Sequence, residues 1–187
     1  MTLIIQPTSL SQWQALLNEA ELAAAITLQV DLESYLAFML MRFCTQADIA
    51  KNPVGLDFLL SFNSLSHLQD QKLQEVGDKC LLFSGLFPAH AHKKRVSIQY
   101  YIDLGQTAYS LLSTHHHAEH KQGTFELYAS LCNHFVLMRD VLDAMRDSDT
   151  NRPQDLLTYF DLWVKFKSHY AFKKLSKNPV FTLQPRP

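Results

Sequence analysis

Helical periodicity dominates the chain and constrains its fold more than any other sequence feature. Apolar residues recur at intervals of three and four positions, as in the stripe that runs from Leu127 to Met145. The chain has only five glycines, lacks runs that alternate apolar and polar residues, and contains no Asn-Gly or Asp-Gly pair. Strand and hairpin signals are therefore missing. The sequence predicts an all-α fold.

Six or seven helices follow from this periodicity and from helix-start signals such as Asn52-Pro53 and Pro153. The stretch 76–87 is apolar nearly all round, so this part of its helix should lie in the middle of the bundle. The predicted helices cover roughly residues 10–25, 32–45, 53–62, 66–87, 98–112, 123–145 and 153–169.

The length and composition suit one hydrophobic core. The chain has 187 residues, and the residue types AVILMFWYC make up 47% of it. We expect a single helical domain over residues 1–175, followed by a poorly ordered, proline-containing basic tail over residues 176–187. Residues 163–187 hold six basic residues and no acidic one, a pattern typical of solvated lysines after the last packed helix.

Charge and hydropathy exclude several classes of partner. Seventeen basic and eighteen acidic residues give a net charge of -1, so we expect no nucleic-acid partner. The richest apolar run ends at Arg42 and is too short for a membrane span. Residues 1–7 lack the features of a secretory signal. Cys44, Cys80 and Cys132 form no C-x-x-C pair and are expected to be small core residues in a reducing compartment. These features together favour a cytoplasmic protein.

Asp78 and Arg95 stand out as charges beside apolar helix segments. One interpretation is a structural ion pair that fixes a helix hairpin, and we favour it because buried charges are normally paired. The alternative is a small-molecule site, in a binding bundle or an enzyme, lined by Asp78, Arg95, Tyr100 and Tyr101. The same region contains three glycines that indicate close approach of neighbouring helices, namely Gly77, Gly85 and Gly105.

The stretch HHHAEH at residues 115–120 is the strongest metal-binding signal. His116, Glu119 and His120 have the H-x-x-E-H spacing of inverted zinc peptidases. The flanking residues are typical of turns, however, and no spacing identifies a further ligand. We therefore expect a polar connector at a helix end, with metal binding at His116, Glu119 and His120 as the alternative. Glu-x-x-His pairs, phosphate-binding loops and nucleophile elbows are missing from the sequence.

Three segments carry a resemblance to a known group of proteins. They are LESYL at residues 32–36, VGDKCLLFSGLFP at residues 76–88 and RVSIQYYIDLGQTAY at residues 95–109. The chain resembles an uncharacterised family of bacterial hypothetical proteins of about this length, most closely over residues 76–109. That resemblance implies no activity, and it lies in helices other than the histidine-rich stretch.

The leading functional hypothesis is a non-enzymatic cytoplasmic interaction or regulatory protein. Its partner would be a second copy of the chain or another protein, bound through an apolar helix face. We assign no catalytic residue and no cofactor. Two alternative functions remain. One is ligand binding or catalysis in a pocket near Asp78, Arg95 and Tyr101, and the other is metal binding at His116 and His120.

Overall fold

The computed structural model describes residues 9–45, 52–146 and 153–178. These residues form ten α-helices and no strand, which confirms the all-α prediction. In chain order the helices are α1 (Ser9–Ala24), α2 (Val30–Cys44), α3 (Val54–Ser61), α4 (Ser66–Gly85), α5 (Pro88–Lys93), α6 (Ile98–Ala118), α7 (Gln122–Asn133), α8 (Phe135–Met145), α9 (Pro153–Phe166) and α10 (His169–Ser176).

The centre of the fold is the antiparallel pair formed by α4 and α6. Asp70 at the start of α4 contacts His115 at the end of α6, whereas Cys80 further along α4 packs against Gly105. Every residue of the segment 76–85 is buried, as predicted for a helix that is apolar on all sides. The helices α3, α5 and α8 also pack on α4, and α7 packs on α6.

Glycines allow this close packing, which confirms their predicted role. A Cβ atom added to Gly105 would lie 2.5 Å from the Phe135 ring, and one added to Gly77 would lie 2.5 Å from the Tyr109 ring. At Gly85 it would lie 2.8 Å from a backbone carbonyl oxygen on α8. Each glycine thus lets an aromatic ring or a backbone approach α4 or α6 where a side chain would be overpacked.

The predicted number of six or seven helices is wrong because three segments divide differently. The connector after the fourth predicted helix forms α5, which has Pro88 at its first position. The sixth predicted helix breaks at His134, whose φ of -102° and ψ of 15° depart from helical geometry. The seventh breaks at Lys167, which has a φ of 55°, and the next residue, Ser168, caps α10 with its side chain.

A buried charge network joins α4 to α8. The guanidinium of Arg139 is 1% exposed. It donates to the Ser84 carbonyl at 2.9 Å and to the Asp140 carboxylate at 2.8 Å. Its Nη2 atom lies 3.4 Å from the carboxylate of Asp143. Arg139 therefore pairs with two buried carboxylates, and Arg146 adds a second cation at 2.7 Å from Asp143. Such pairing is the condition under which charges persist in a core.

The same network fixes the last two helices. The Ser168 hydroxyl donates to Asp140 at 2.6 Å, and the Tyr159 hydroxyl donates to Asp143 at 2.8 Å. Ser168 also accepts the backbone N–H of Ala171 at 3.0 Å. The α9–α10 hairpin is thus attached to α8 through hydrogen bonds to carboxylates, which are stronger than those between neutral groups.

The ends of the chain lie largely outside the described residues. The expected absence of a signal concerns residues 1–7, and most of the predicted poorly ordered tail, 179–187, is likewise outside them. Of the tail's other residues, Ser176 ends α10 and Asn178 is buried, so the packed region extends past residue 175. Within the part of the chain that the structure describes, no helix has the length and apolar content that crossing a membrane requires.

Candidate functional site

Three of the four residues predicted to form a ligand pocket line one cleft. Arg95, Tyr100 and Tyr101 border a cleft of about 530 Å³ between the start of α3 and the α5–α6 connection. The opposite wall includes Val54 and Gly55 of α3. Because Arg95, Tyr100 and Tyr101 are close in the sequence, their convergence needs only the local turn from α5 into α6.

The cleft is basic. Besides Arg95, it is lined by Lys94 and His90, and none of the described residues that border it is acidic. Burial, together with the positive charges of Lys94 and Lys93, lowers the pKa of His90. The N-terminus of α6, capped by the Ser97 hydroxyl, opens into the same region and contributes further positive potential. The arrangement is suited to an anionic ligand with an apolar or aromatic part.

Asp78 is not part of this cleft, which corrects the predicted site. It is fully buried on α4, where its carboxylate accepts hydrogen bonds from the hydroxyls of Tyr35 at 2.6 Å and Tyr109 at 2.5 Å. Its ion-pair partner is Arg42 of α2, and the predicted Asp78–Arg95 pair is therefore wrong. Arg42 reaches the carboxylate from a partly exposed position on the protein surface.

The environment of Asp78 is that of a structural group. Burial raises the pKa of Asp78 above its ordinary value, while Arg42 and the two tyrosine hydroxyls act in the opposite direction. Burial and the neighbouring carboxylate raise the pKa values of Tyr35 and Tyr109 well above their ordinary values. Three donors from α2 and α6 occupy the Asp78 carboxylate, so the cluster joins three helices and leaves little capacity for a ligand.

The histidine-rich stretch forms the C-terminal end of α6. The helix runs to Ala118, Glu119 is its C-terminal cap, and His120 follows in the left-handed conformation with a φ of 57°. The backbone N–H of Lys121 bonds to the carbonyl of His116 at 2.9 Å, which completes the helix end. The predicted position at a helix end is confirmed, although His115, His116 and His117 belong to the helix itself.

The structure brings together a candidate set of metal ligands that differs from the predicted set by one residue. Asp70 of α4 joins His116 and Glu119, and ligand atoms of the three lie within 4.8 Å of one another. His120 is not a member of this group, which corrects the predicted set of His116, Glu119 and His120. The third side chain comes from a helix 46 residues upstream of His116, and the antiparallel packing of α4 on α6 brings it there.

A large apolar surface covers α3 and the start of α4. Leu56, Leu59 and Leu60 share one side of α3 because they are three and four residues apart. Leu59 is 64% exposed and Leu65, which caps α4, is 70% exposed. We call this surface the α3 face. Its exposed side chains are Leu56, Leu59, Leu60, Phe62, Leu65 and Leu68.

Sequence reasoning missed the partners that come from other helices. The sequence identifies Arg42 only as the residue that ends an apolar run, and Tyr35 and Tyr109 only as members of the segments that carry the family resemblance. A lone arginine in an otherwise apolar helix is a usable signal, since a buried helix keeps a charge only when it has a partner. Asp70 carried no local signal, because nothing in its own segment resembles a metal-binding spacing.

Comparison of the chain with models of known protein families, with curated proteins and with solved structures gives no match.

Proposed function

We propose that the chain is a non-enzymatic interaction protein whose partner is a second copy of itself, bound through the α3 face. The supporting observation is the exposure of six large apolar side chains on α3, on the turn that follows it and on the first turn of α4. Single exposed apolar residues are normal on a protein surface, whereas a group of this size is typical of an interaction site.

The absence of free charge on this segment favours a second copy as the partner. Between residues 52 and 65 the only charged residue is Asp57. Its carboxylate lies 3.0 Å from the Nζ atom of Lys79, a residue that is itself buried. At its edge, the Nζ atom of Lys72 on α4 donates to the Ser64 hydroxyl at 2.7 Å. An apolar surface with so little charge is complementary to another copy of itself, as the twofold interfaces of homodimers require. Such interfaces are depleted in charge at their core.

We place this function in the cytoplasm of a bacterium. All three cysteines are free thiols, as expected in a reducing compartment. Of the three, only Cys80 is a buried core residue as predicted, since Cys44 is exposed and Cys132 is half-buried. Membership of the bacterial family that the sequence resembles is part of the same proposal, and it adds no activity.

Replacing Leu59 with Lys should abolish self-association. We expect the wild-type chain to sediment as a dimer that dissociates on dilution, and the Leu59→Lys chain to sediment as a monomer. Each copy loses the burial of one leucine side chain, worth about 1.5–3 kcal/mol. Because both copies carry the substitution, we expect the dissociation constant of the dimer to rise by at least about 100-fold. Sedimentation velocity over a dilution series measures this difference.

The control is Leu22→Lys on α1, a leucine that is 82% exposed and lies outside the α3 face. This variant should dimerise like the wild type. A wild-type chain that is monomeric at every concentration would contradict the proposal. So would equal dissociation of the Leu22 and Leu59 variants, because a general effect of an added charge would then explain the result.

A second candidate function is the binding of an anionic small molecule in the basic cleft. It is supported by the convergence of Arg95, Lys94 and His90 on one space that has no acidic side chain among its described lining residues. The exposed ring of Tyr100 offers an aromatic surface at the rim. The ligand class that fits is a phosphate or carboxylate attached to a planar or apolar group.

Phenyl phosphate is a suitable probe for this cleft. We expect Arg95→Gln to weaken its binding about tenfold, because a charge-assisted hydrogen bond contributes about 1.5–3 kcal/mol. The exposed neighbour Lys93 does not line the cleft, so Lys93→Gln should bind nearly as well as the wild type. Calorimetric titration measures both affinities, and NMR should show the pKa of His90 rising as the anion binds. Equal loss in both variants would indicate only non-specific charge attraction.

A further inference from the structure

We propose that Asp70, His116 and Glu119 form a binding site for a divalent transition-metal ion of the zinc type. The three side chains come together where the start of α4 meets the end of α6, with ligand atoms within 4.8 Å of one another. The site joins the two central helices and is separate from both the basic cleft and the α3 face.

The spacing of the donor atoms is close to that of a metal centre. Zinc binds imidazole nitrogen and carboxylate oxygen at about 2.0–2.2 Å, so donors around a tetrahedral ion lie roughly 3.3 Å apart. The Nε2 atom of His116 lies 3.8 Å from the nearer carboxylate oxygen of Asp70. An inward movement of about half an ångström would bring the two atoms to the distance that an ion imposes.

Neighbouring side chains hold two of the three ligands in place. The other carboxylate oxygen of Asp70 lies 2.9 Å from the Nδ1 atom of His115, which positions the carboxylate. The His116 ring stacks on Tyr128, with ring centres 5.3 Å apart and planes 14° from parallel. Metal ligands are normally oriented by outer hydrogen bonds, and loss of one usually weakens metal binding by about 10–100-fold. Asp70 has such a contact, whereas the Nδ1 atom of His116 is buried without a hydrogen-bond partner among the described residues, so stacking orients its ring.

The charges of the site favour a divalent cation. Lys121 lies 2.7 Å from Glu119 on the surface, where an arriving metal ion can replace it. Two carboxylates balance the charge of the ion, and the C-terminal end of α6 adds negative potential.

The ligand types decide the class of metal. One imidazole with two carboxylates suits Zn²⁺, Ni²⁺ or Co²⁺, whereas Mg²⁺ and Ca²⁺ prefer oxygen ligands alone. Three protein ligands also leave a coordination position for water, as in open zinc sites. We therefore expect Zn²⁺ to bind in preference to Mg²⁺.

The test is zinc binding by the tag-free chain, measured by competition with a chromophoric chelator. We expect one Zn²⁺ per chain. Asp70→Asn and His116→Gln should each weaken binding at least about tenfold. His115→Ala should weaken it by about 10–100-fold through the loss of an outer contact. Circular dichroism checks that each variant is folded, and Glu119→Gln, at an exposed helix end, supplies a variant with minimal risk to the fold.

The controls are two exposed histidines of the same stretch, both outside the ligand set. His117→Ala and His120→Ala should bind Zn²⁺ like the wild type, because neither residue belongs to the group. Loss of binding in these variants, with binding retained in Asp70→Asn and Glu119→Gln, would overturn the proposal in favour of adventitious binding to surface imidazoles. Failure of the wild-type chain to bind Zn²⁺ at all would also overturn it.

Discussion

Replacing Arg139 with Met is expected to lower the free energy of unfolding by about 3–5 kcal/mol. The substitution preserves much of the side-chain volume but removes the cation that pairs with Asp140 and Asp143. Both carboxylates are buried; Asp140 would lose its cationic partner, and Asp143 would keep only Arg146. The carbonyl of Ser84 would also lose its donor. Urea unfolding at neutral pH, monitored by circular dichroism, measures the loss as a lower midpoint with a similar slope.

A matched comparison tests whether burial causes this loss. Arg146 also pairs with Asp143, at 2.7 Å, but its side chain is 26% exposed rather than 1%. Arg146→Met should therefore cost less than Arg139→Met, because water can reach the place that Arg146 leaves beside Asp143. If the two substitutions cost the same, burial of the guanidinium is not the cause of the loss. The stated reason for the large effect would then be wrong.

The sequence predicted well those features that depend on nearby residues. The all-helical fold follows from the periodicity of the apolar residues. The convergence of Arg95, Tyr100 and Tyr101 follows from a single turn of the chain. The number of helices could not be predicted, because two of the breaks between helices lack the glycine that usually ends a helix. Lys167 adopts the left-handed conformation itself, and His134 interrupts a continuous apolar stripe. These conformations are set by packing and capping in the folded chain rather than by local preference.

Contacts between distant helices were the main errors. For Asp78 the sequence favoured Arg95, the nearer candidate along the chain, whereas the structure supplies Arg42 from α2. For the histidine stretch it favoured His120, whereas Asp70 of α4 completes the group. In both cases the correct residue lies 36 or more positions away. Spacing within one segment carries no information about which other helix packs against it.

Replacing Asp78 with Ala is expected to lower the free energy of unfolding by about 3 kcal/mol. The Tyr109 side chain is fully buried, so its hydroxyl would lose the Asp78 acceptor. The Tyr35 hydroxyl would lose the same acceptor. A buried donor left unsatisfied costs about 1–3 kcal/mol. Arg42 contributes less to the loss, because it is partly exposed and can be hydrated again. Urea unfolding provides the measurement.

The tyrosine variants show whether the orphaned hydroxyls cause this loss. In a chain that already carries Tyr35→Phe and Tyr109→Phe, Asp78→Ala should cost at least about 1 kcal/mol less than in the wild type. Asp103 on the exposed side of α6 is the control, and Asp103→Ala should change stability by no more than about 0.5 kcal/mol. An equal cost of Asp78→Ala in both backgrounds would mean that the carboxylate acts through Arg42 alone. The cluster would then be a partly solvated ion pair rather than the polar junction of α2, α4 and α6.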